Sequence, residues 1–429
     1  MSSEPSRRIT RALILIQDGL GDRPLPELQG RTPLEVATTP VMDLLASRGR
    51  TGMMGIFGQD GRVGTDVGHL GWFGRDFRDS QYARGPAEAA GAGVELEVGE
   101  IALRFNFSTL GPEGRIVDRR AGRIRAGTDQ LVACLNGIGV IDSVELRFFP
   151  ATEHRGVLVM HGAGLSRGVS DSDPGGGGGE EIQVVRPIED TPEAARTALI
   201  LNQLTEEARR LLSDHPVNVS RARQGLPQAN GILTRAAGDR LPFKNMPRET
   251  GLRIAAVSGE STVIGMARLS GLEAITGPQL TANLDTDLNA KAGLTLDSIR
   301  RNELTFLHLK GCDIAGHAGD AQAKRIFIER TDRMLGAILE EAKEIAPALI
   351  VGLAADHSTP CAVREHSDDL FPVVLVHDSI EPDGVSTYGE RACQHGSLLH
   401  IECRQYLTLL LEQIHRQQGS SSAIPNIPV

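Results

Sequence analysis

Aromatic residues are scarce in this chain: they make up 3% of it, with one Trp and three Tyr. That argues against base-stacking platforms for nucleic acid and against the aromatic belts of membrane proteins. No apolar run approaches the ~20 residues that a membrane span requires. No CxxC pair occurs, and the five Cys (134, 312, 361, 393, 403) are scattered and odd in number. A reduced interior fits that usage better than a disulfide framework. An excess of cations is also missing. Lys and Arg total 45 against 55 Asp and Glu, a net charge of -10, so nucleic acid and anionic bilayers are disfavoured as partners. Met1 to Thr10 is polar and basic, and the run Ala12–Ile16 is too short for a signal core. The expected location is cytoplasmic, with no nucleic-acid or membrane partner; the oligomeric state is not legible.

What is present is more telling. Three acidic residues each stand just past a short apolar run: Asp18 after Ala12–Ile16, Asp313 after Leu304–Leu309, and Asp356 after Ala348–Leu353. Runs of that length read as strands buried on both faces, hence parallel and flanked by helices. In such sheets the ligand site lies beyond the carboxyl ends of the strands. His317 accompanies Asp313, while His357 and His366 accompany Asp356. One Asp–His pair after a strand is an ordinary polar loop end, but three strand ends sharing the pattern have the composition of a metal site. Mixed Asp and neutral His suit Mn²⁺, Zn²⁺, Co²⁺ or Fe²⁺ better than Ca²⁺.

A chain of 429 residues exceeds one simple core. Strand and helix signals alternate at first: a strand at Ala12–Ile16, a capping box at Thr32-Pro33-Leu34-Glu35, a helix from Thr39-Pro40 to Arg48, and a strand at Thr51–Ile56. From about Glu95 the texture changes. Glu95–Glu97, Ile101–Thr109, Val144–Phe149 and Gly156–Met160 read as strands, and Ser170–Glu181, with five consecutive glycines, as a flexible loop. A helix opens at Thr191-Pro192, with Ala195, Ala198, Leu199, Leu201, Leu204, Ala208 and Leu211 as its apolar face. Buried strands then resume at Ile254–Val257, Leu304–Leu309, Ala348–Leu353 and Val373–Val376, with a long helix whose buried face carries Ile326, Phe327, Met334, Leu335, Ile338 and Leu339. The expected fold is α/β, with a doubly wound, mostly parallel sheet in two segments (1–95 and 225–429) interrupted by a smaller α+β insert at 96–224.

Thr65, in Gly64-Thr65-Asp66, precedes a predicted helix from Asp66 to Phe73. A hydroxyl there is either an N-cap or, beside metal ions, a nucleophile. In the insert, Arg119, Arg120 and Arg123 with His154 and Arg155 form a basic group able to grip phosphate and carboxylate. His154 is a candidate proton shuttle, and Lys291 and Lys310 are candidates near the core site.

Several motifs resemble those of the archaeal-type cofactor-independent phosphoglycerate mutases of the alkaline phosphatase superfamily. They are Asp18-Gly19-Leu20-Gly21-Asp22-Arg23-Pro24, Gly64-Thr65-Asp66, Arg84-Gly85-Pro86 with Gly91-Ala92-Gly93, and Val117 through Ile124. Ala151 through Arg155, Ser170–Pro174, Asp285-Thr286-Asp287, Lys310 through His317, and Asp356-His357-Ser358-Thr359-Pro360 continue the pattern, in order, from about residue 11 to 410. The resemblance implies an alkaline phosphatase-like core with two divalent ions (Mn²⁺, Zn²⁺ or Co²⁺, with Mg²⁺ also compatible) and no 2,3-bisphosphoglycerate. By matching position, Asp313, His317 and His366 would hold one ion. Asp18, Asp356, His357 and the Thr65 oxygen would hold the other, with His395 as runner-up to His366.

The implied reaction interconverts 3- and 2-phosphoglycerate through a phosphothreonine on Thr65, with His154 and Lys310 assisting and the insert as lid. Arg84, Arg119, Arg120, Arg123, Arg155 and Lys291 would bind the small phosphorylated carboxylic acid. The chain departs from the family pattern in having Thr65 where Ser is usual and Ala318 where Asp is usual. It also departs at Val67-Gly68-His69 and at Asp368-Asp369-Leu370-Phe371-Pro372. These changes leave a second expectation, a paralogue acting as a phosphomutase or phosphohydrolase on another phosphorylated or phosphonylated acid.

Overall fold

The computed structural model describes residues 10–57, 61, 63–75, 83–112, 114–175, 179–240 and 243–417. The expected flexible loop at 170–181 therefore falls partly outside them. The strands, in chain order, are β1 (Ala12–Gln17), β2 (Arg50–Met54), β3 (Ile101–Leu110), β4 (Ile116–Asp118), β5 (Val140–Ile141), β6 (Val144–Pro150) and β7 (Arg155–His161). After them come β8 (Gly231–Gly238), β9 (Ile254–Val257), β10 (Glu273–Ile275), β11 (Leu304–Leu309), β12 (Ile350–Ala354), β13 (Phe371–Val376) and β14 (Leu399–His400). The chain divides into two compact units, Met1–Ser80 with Phe243–Val429, and Gln81–Pro242.

The first unit holds an eight-stranded sheet in the order β10-β9-β11-β1-β12-β13-β2-β14. The apolar runs do form strands buried along their whole length: every residue of β1, β11 and β12 is buried. All pairings are parallel except those of β13, which runs antiparallel to both β12 and β2. Because β1 lies between β11 and β12 and is parallel to both, the carboxyl ends of these three strands meet at one edge. The ladder carries on into the site, where Asp18 N–H donates to the Leu309 carbonyl at 2.9 Å. Two reversals, at β13 and again at β2, restore β2 to the direction of β12, so the segment leading to Thr65 leaves the same edge. Early on, the Thr32 capping box forms as expected, and a helix spans Pro40–Arg48.

The second unit is an antiparallel sheet, β4-β3-β7-β6-β5, with β8 also paired to β3. It runs from 81 to 242, wider than the expected 96–224, because its edges lie in elements with weak sequence signals. The helix Arg84–Gly91 packs through Ala89 against Ala102, Val157 and Val159, and β8 closes the sheet at the other end. Glu95–Glu97 is not a strand. The helix Pro192–Ser213 buries Ala194, Ala198, Leu201, Leu204 and Ala208 but exposes Leu199 and Ala195, so its apolar face is rotated from the expected one. In the long helix Ala321–Ile345, Ile326 is likewise exposed, and the polar Lys324 lies on the buried stripe in its place.

Candidate active site

The edge formed by β11, β1 and β12 gathers residues separated by more than 300 positions. The helix Gly311–Ala318 follows β11 and sets Asp313 and His317 one turn apart. Gly19, at φ +70°, lets the turn after β1 approach so closely that a Cβ there would lie 2.7 Å from the Asp313 Cα. On the other side, the helix Thr65–Trp72 begins at Thr65. It presses on the β12 loop through Gly68, where a Cβ would lie 2.4 Å from the Asp356 Cβ.

One group of ligand-type side chains is Asp313, His317 and His366. The two imidazoles bring their Nε2 atoms to 3.2 Å of each other and to 3.4 and 3.3 Å of Asp313 Oδ1. Their opposite nitrogens donate to backbone carbonyls, His317 Nδ1 to Arg364 at 2.8 Å and His366 Nδ1 to Val63 at 3.1 Å. That arrangement fixes the tautomers and leaves both Nε2 lone pairs aimed at one point.

The second group is Asp18, Asp356 and His357, all buried. His357 Nε2 lies 3.2 Å from Asp18 Oδ1. Its Nδ1 donates to Thr359 Oγ1 at 3.2 Å, and that hydroxyl donates to Asp313 Oδ1 at 2.8 Å. The two groups are thereby wired together through Thr359. Asp18 Oδ1 and Asp356 Oδ2 are buried without a hydrogen-bond partner among the described residues. Such orphaned carboxylate oxygens, next to imidazole nitrogens of the right tautomer, are the donor set that a divalent cation satisfies.

Thr65 stands where the groups meet. Its hydroxyl donates to Asp18 Oδ2 at 3.1 Å and lies 3.4 Å from His357 Nε2. Lys310 Nζ donates to Thr65 Oγ1 at 3.0 Å and Asp18 Oδ2 at 2.8 Å, and pairs with Asp313 Oδ2 at 3.0 Å. Burial alone would lower the Lys310 pKa, but Asp18, Asp313, Glu260 and Asp356 outweigh it and raise the ammonium well above its ordinary value. Burial likewise opposes ionisation of Asp18, yet Lys310, His308 and His357 hold it well below the usual carboxylate range. Asp356 goes the other way, pushed up to about 7 by burial and the Asp18 charge. His357, although buried, is raised to about 9 by Asp356 and Asp18.

Two supporting histidines were not among the expected site residues, although His69 stands in one of the departures from the family pattern. His308 Nε2 donates to Asp18 Oδ2 at 3.0 Å, with Ser258 Oγ on its Nδ1 at 2.9 Å. It was legible as the one imidazole inside the apolar run of β11. His69 Nδ1 donates to the Thr65 carbonyl at 2.7 Å and lies 3.5 Å from Asp356 Oδ2. With Asp356 these two form a third close group of ligand-type side chains, in which His69 Nε2 is buried without a hydrogen-bond partner among the described residues. Lys291 is buried, and its Nζ donates to the His308 carbonyl at 3.1 Å; burial lowers it to about 7. His395 is exposed and absent from both ligand groups.

In the second unit the basic residues are partly committed. Arg119 makes a fork to Asp173, Nε to Oδ1 and Nη2 to Oδ2, both at 2.8 Å, and Arg235 approaches the same carboxylate at 3.5 Å. Arg84 lies 3.8 Å from Glu88. Arg120 and Arg123 lie on a turn in which Ala121, Gly122 and Arg123 all have left-handed φ (46, 63 and 53°), a strained geometry concentrated at functional sites. His154 is buried, and burial together with Arg155, Arg104, Arg120 and Arg123 holds it down to about 2, hence neutral. Among the described residues, no helix is long and apolar enough to cross a membrane.

The family model described as 2,3-bisphosphoglycerate-independent phosphoglycerate mutase matches residues 46–218. A protein of that name from Ignicoccus hospitalis is 39% identical over 411 residues, covering 95% of this chain and 98% of that one. Its namesake from Methanopyrus kandleri is 41% identical over 413 residues, covering 95% and 97%. Among solved structures, a protein from Pyrococcus horikoshii superposes with a TM-score of 0.78 at 30% identity, covering 96% of this chain and 99% of that one. The cofactor-independent phosphoglycerate mutase from Thermoplasma acidophilum gives 0.62 at 29%, covering 94% and 100%. Relatives this similar over nearly their whole length establish that the chain belongs to the 2,3-bisphosphoglycerate-independent phosphoglycerate mutase family of enzymes.

Proposed function

We propose that the protein interconverts 3- and 2-phosphoglycerate through a phosphothreonine on Thr65, in a reaction dependent on two divalent ions. The observation that carries this reading is the pair of Nε2 atoms of His317 and His366, 3.2 Å apart and facing Asp313. Asp313, His317 and His366 would hold one ion, and Asp18, Asp356, His357 and the Thr65 oxygen the other, with Mn²⁺, Zn²⁺, Co²⁺ or Mg²⁺ as occupants. When bound, such ions supply Lewis-acid stabilisation of an alkoxide and of phosphoryl oxygens.

The chain's own groups account for the rest. Thr65 Oγ1 directs its hydrogen at Asp18 Oδ2 and receives an N–H from Lys310, which steadies negative charge developing on that oxygen. Thr65 attacks phosphorus as the bond to the C3 oxygen of the substrate breaks; its hydroxyl proton, directed at Asp18 Oδ2, is given up as that C3 oxygen takes one up. The C2 hydroxyl then attacks the phosphothreonine, its proton passing to the departing Thr65 oxygen, which restores Thr65. Water must be kept out between these steps, the role assigned to the second unit as a lid. Arg84, Arg120, Arg123 and Arg155 there are the substrate-binding candidates, with His154 as a neutral hydrogen-bonding partner. Five free cysteines accord with the reduced cytoplasmic setting in which we place the reaction.

The test is phosphorus NMR of metal-reconstituted protein with 3-phosphoglycerate. Formation of 2-phosphoglycerate without inorganic phosphate is expected. Free phosphate alone would make the protein a hydrolase, and no turnover with any metal would move the reading to another phosphorylated or phosphonylated acid.

A further inference from the structure

Strand β3 is lined on one face by Leu103, Phe105 and Phe107, which enter the apolar core of the second unit. Its alternate residues, Arg104, Asn106 and Ser108, would ordinarily face water. They are instead buried, at 6%, 4% and 0% exposure. Arg104 Nε, Asn106 Oδ1 and Ser108 Oγ all lack a hydrogen-bond partner among the described residues. Buried polar groups are almost always satisfied, so three in succession along one strand face mark a place built for something else.

The charges indicate what that is. The acidic partner of Arg104 is Glu88, 3.7 Å away, and Arg84 shares it at 3.8 Å. Arg155, Arg84 and Arg235 all act against the Arg104 charge. His154 is surrounded by Arg155, Arg104, Arg120 and Arg123; its Nδ1 has no hydrogen-bond partner among the described residues, with Glu153 Oε2 4.0 Å away. Arg119 and Arg235 have Asp173 for neutralisation, whereas Arg104 meets Glu88 only at 3.7 Å and keeps its buried Nε without a hydrogen-bond partner among the described residues. A buried guanidinium tolerates that only where an anion completes it.

We propose that Arg104, assisted by Asn106, is an oxyanion-binding residue that grips a carboxylate or phosphoryl group of the substrate and so selects for a phosphorylated acid. The proposal rests on the substrate class given above. Arg104 supplies the planar N–H fork, and the Asn106 amide is placed to bond a hydroxyl beside the anion.

The test compares wild type, Arg104→Met and Arg104→Lys as full-length chains, freed of metal with EDTA. Each is titrated calorimetrically with 3-phosphoglycerate, glycerate and inorganic phosphate. Arg104→Met should weaken 3-phosphoglycerate binding by about ten- to a hundredfold, with Arg104→Lys intermediate because it keeps charge without the fork. The melting temperature of Arg104→Met should equal or exceed that of wild type, since a poorly neutralised buried charge has gone; a structural arginine would behave oppositely. Loss of glycerate binding identifies the carboxylate as the bound group, and loss of phosphate binding identifies the phosphoryl group. Unchanged affinity for all three ligands, or a wild type that binds none of them, overturns the proposal. A wild type that ignores 3-phosphoglycerate yet binds phosphate through Arg104 would keep the oxyanion site and fail the mutase reading instead.

Discussion

Lys324 is fully buried, and its ammonium donates to the Gly21 carbonyl at 3.1 Å, to Asp22 Oδ2 at 2.8 Å and to the Thr359 carbonyl at 3.0 Å. All three donors are used. They join the turn after β1 to the loop after β12 from a helix that directly follows the one bearing Asp313 and His317. Lys324→Met keeps the length of the side chain and removes every donor. Asp22 would keep the N–H groups of Arg23 and Cys361 but lose its counter-charge; the Gly21 carbonyl would keep the Thr359 N–H at 3.2 Å, while the Thr359 carbonyl would lose its lysine donor. Breaking a buried pair in this way costs about 3–5 kcal/mol, with the orphaned Thr359 carbonyl pushing toward the upper end. Trp72 is a convenient probe: it is the sole Trp, it is fully buried, and its indole N–H donates to the Ala355 carbonyl beside Asp356 at 2.8 Å. Urea unfolding of the metal-free chain, followed by its fluorescence, measures the loss. Adding Asp22→Asn removes the stranded charge and should recover about 1–3 kcal/mol. The reasoning is refuted if Lys324→Met lies within about 1 kcal/mol of wild type, or if the double variant is no more stable than the single one.

Thr65→Ala should lower turnover by about four orders of magnitude or more, as expected for loss of a nucleophile, while Thr65→Ser retains most of it; steady-state kinetics with 3-phosphoglycerate decides, and an active Ala variant would remove Thr65 from the chemistry. His366→Ala should cut the Mn²⁺ bound per chain in equilibrium dialysis to half or less, because Asp313 and His317 alone make a poor site; unchanged binding would reassign the ligand. Glu390 is buried, accepts from Thr32 Oγ1 at 2.7 Å and from Asp22 N–H at 3.3 Å, and is raised by burial from 4.5 to about 7. The folded chain therefore holds this proton more tightly than the unfolded one. Its contribution is fully present below about pH 4.5 and is lost as pH rises through about 7, by about 3 kcal/mol at most. Glu390→Gln should flatten that part of the stability profile measured by urea midpoints between pH 5 and 8; an identical slope in both proteins would contradict the assignment.

Much of the core was readable because parallel strands buried on both faces leave unbroken apolar runs, and because the acids that end them must emerge at one edge. Lys324 was not readable, since a lysine in a helix is normally solvated and only its spacing to Phe327, Ile328, Thr331 and Leu335 betrays the buried stripe. His308 was passed over as part of a strand. Arg104, Asn106 and Ser108 alternate with apolar residues as on a half-exposed strand; the helix Arg84–Gly91 covers that side through small residues that carry little hydrophobic signal. The same weakness hid the edges of the second unit, where β8 reads Thr-Arg-Ala-Ala along half its length.

The reversal of β13 has a mechanical consequence. The chain leaves the sheet edge at the end of β12 and re-enters at that edge as β13, so residues 355–370 form a loop clamped at both feet. That single loop carries Asp356 and His357 for one ligand group and His366 for the other. Strain applied at one end is felt at the other, and Thr359, bonded to Asp313, is the brace between them. Were each group to hold an ion as proposed, filling one should stiffen the other before it is filled, and uptake would be cooperative.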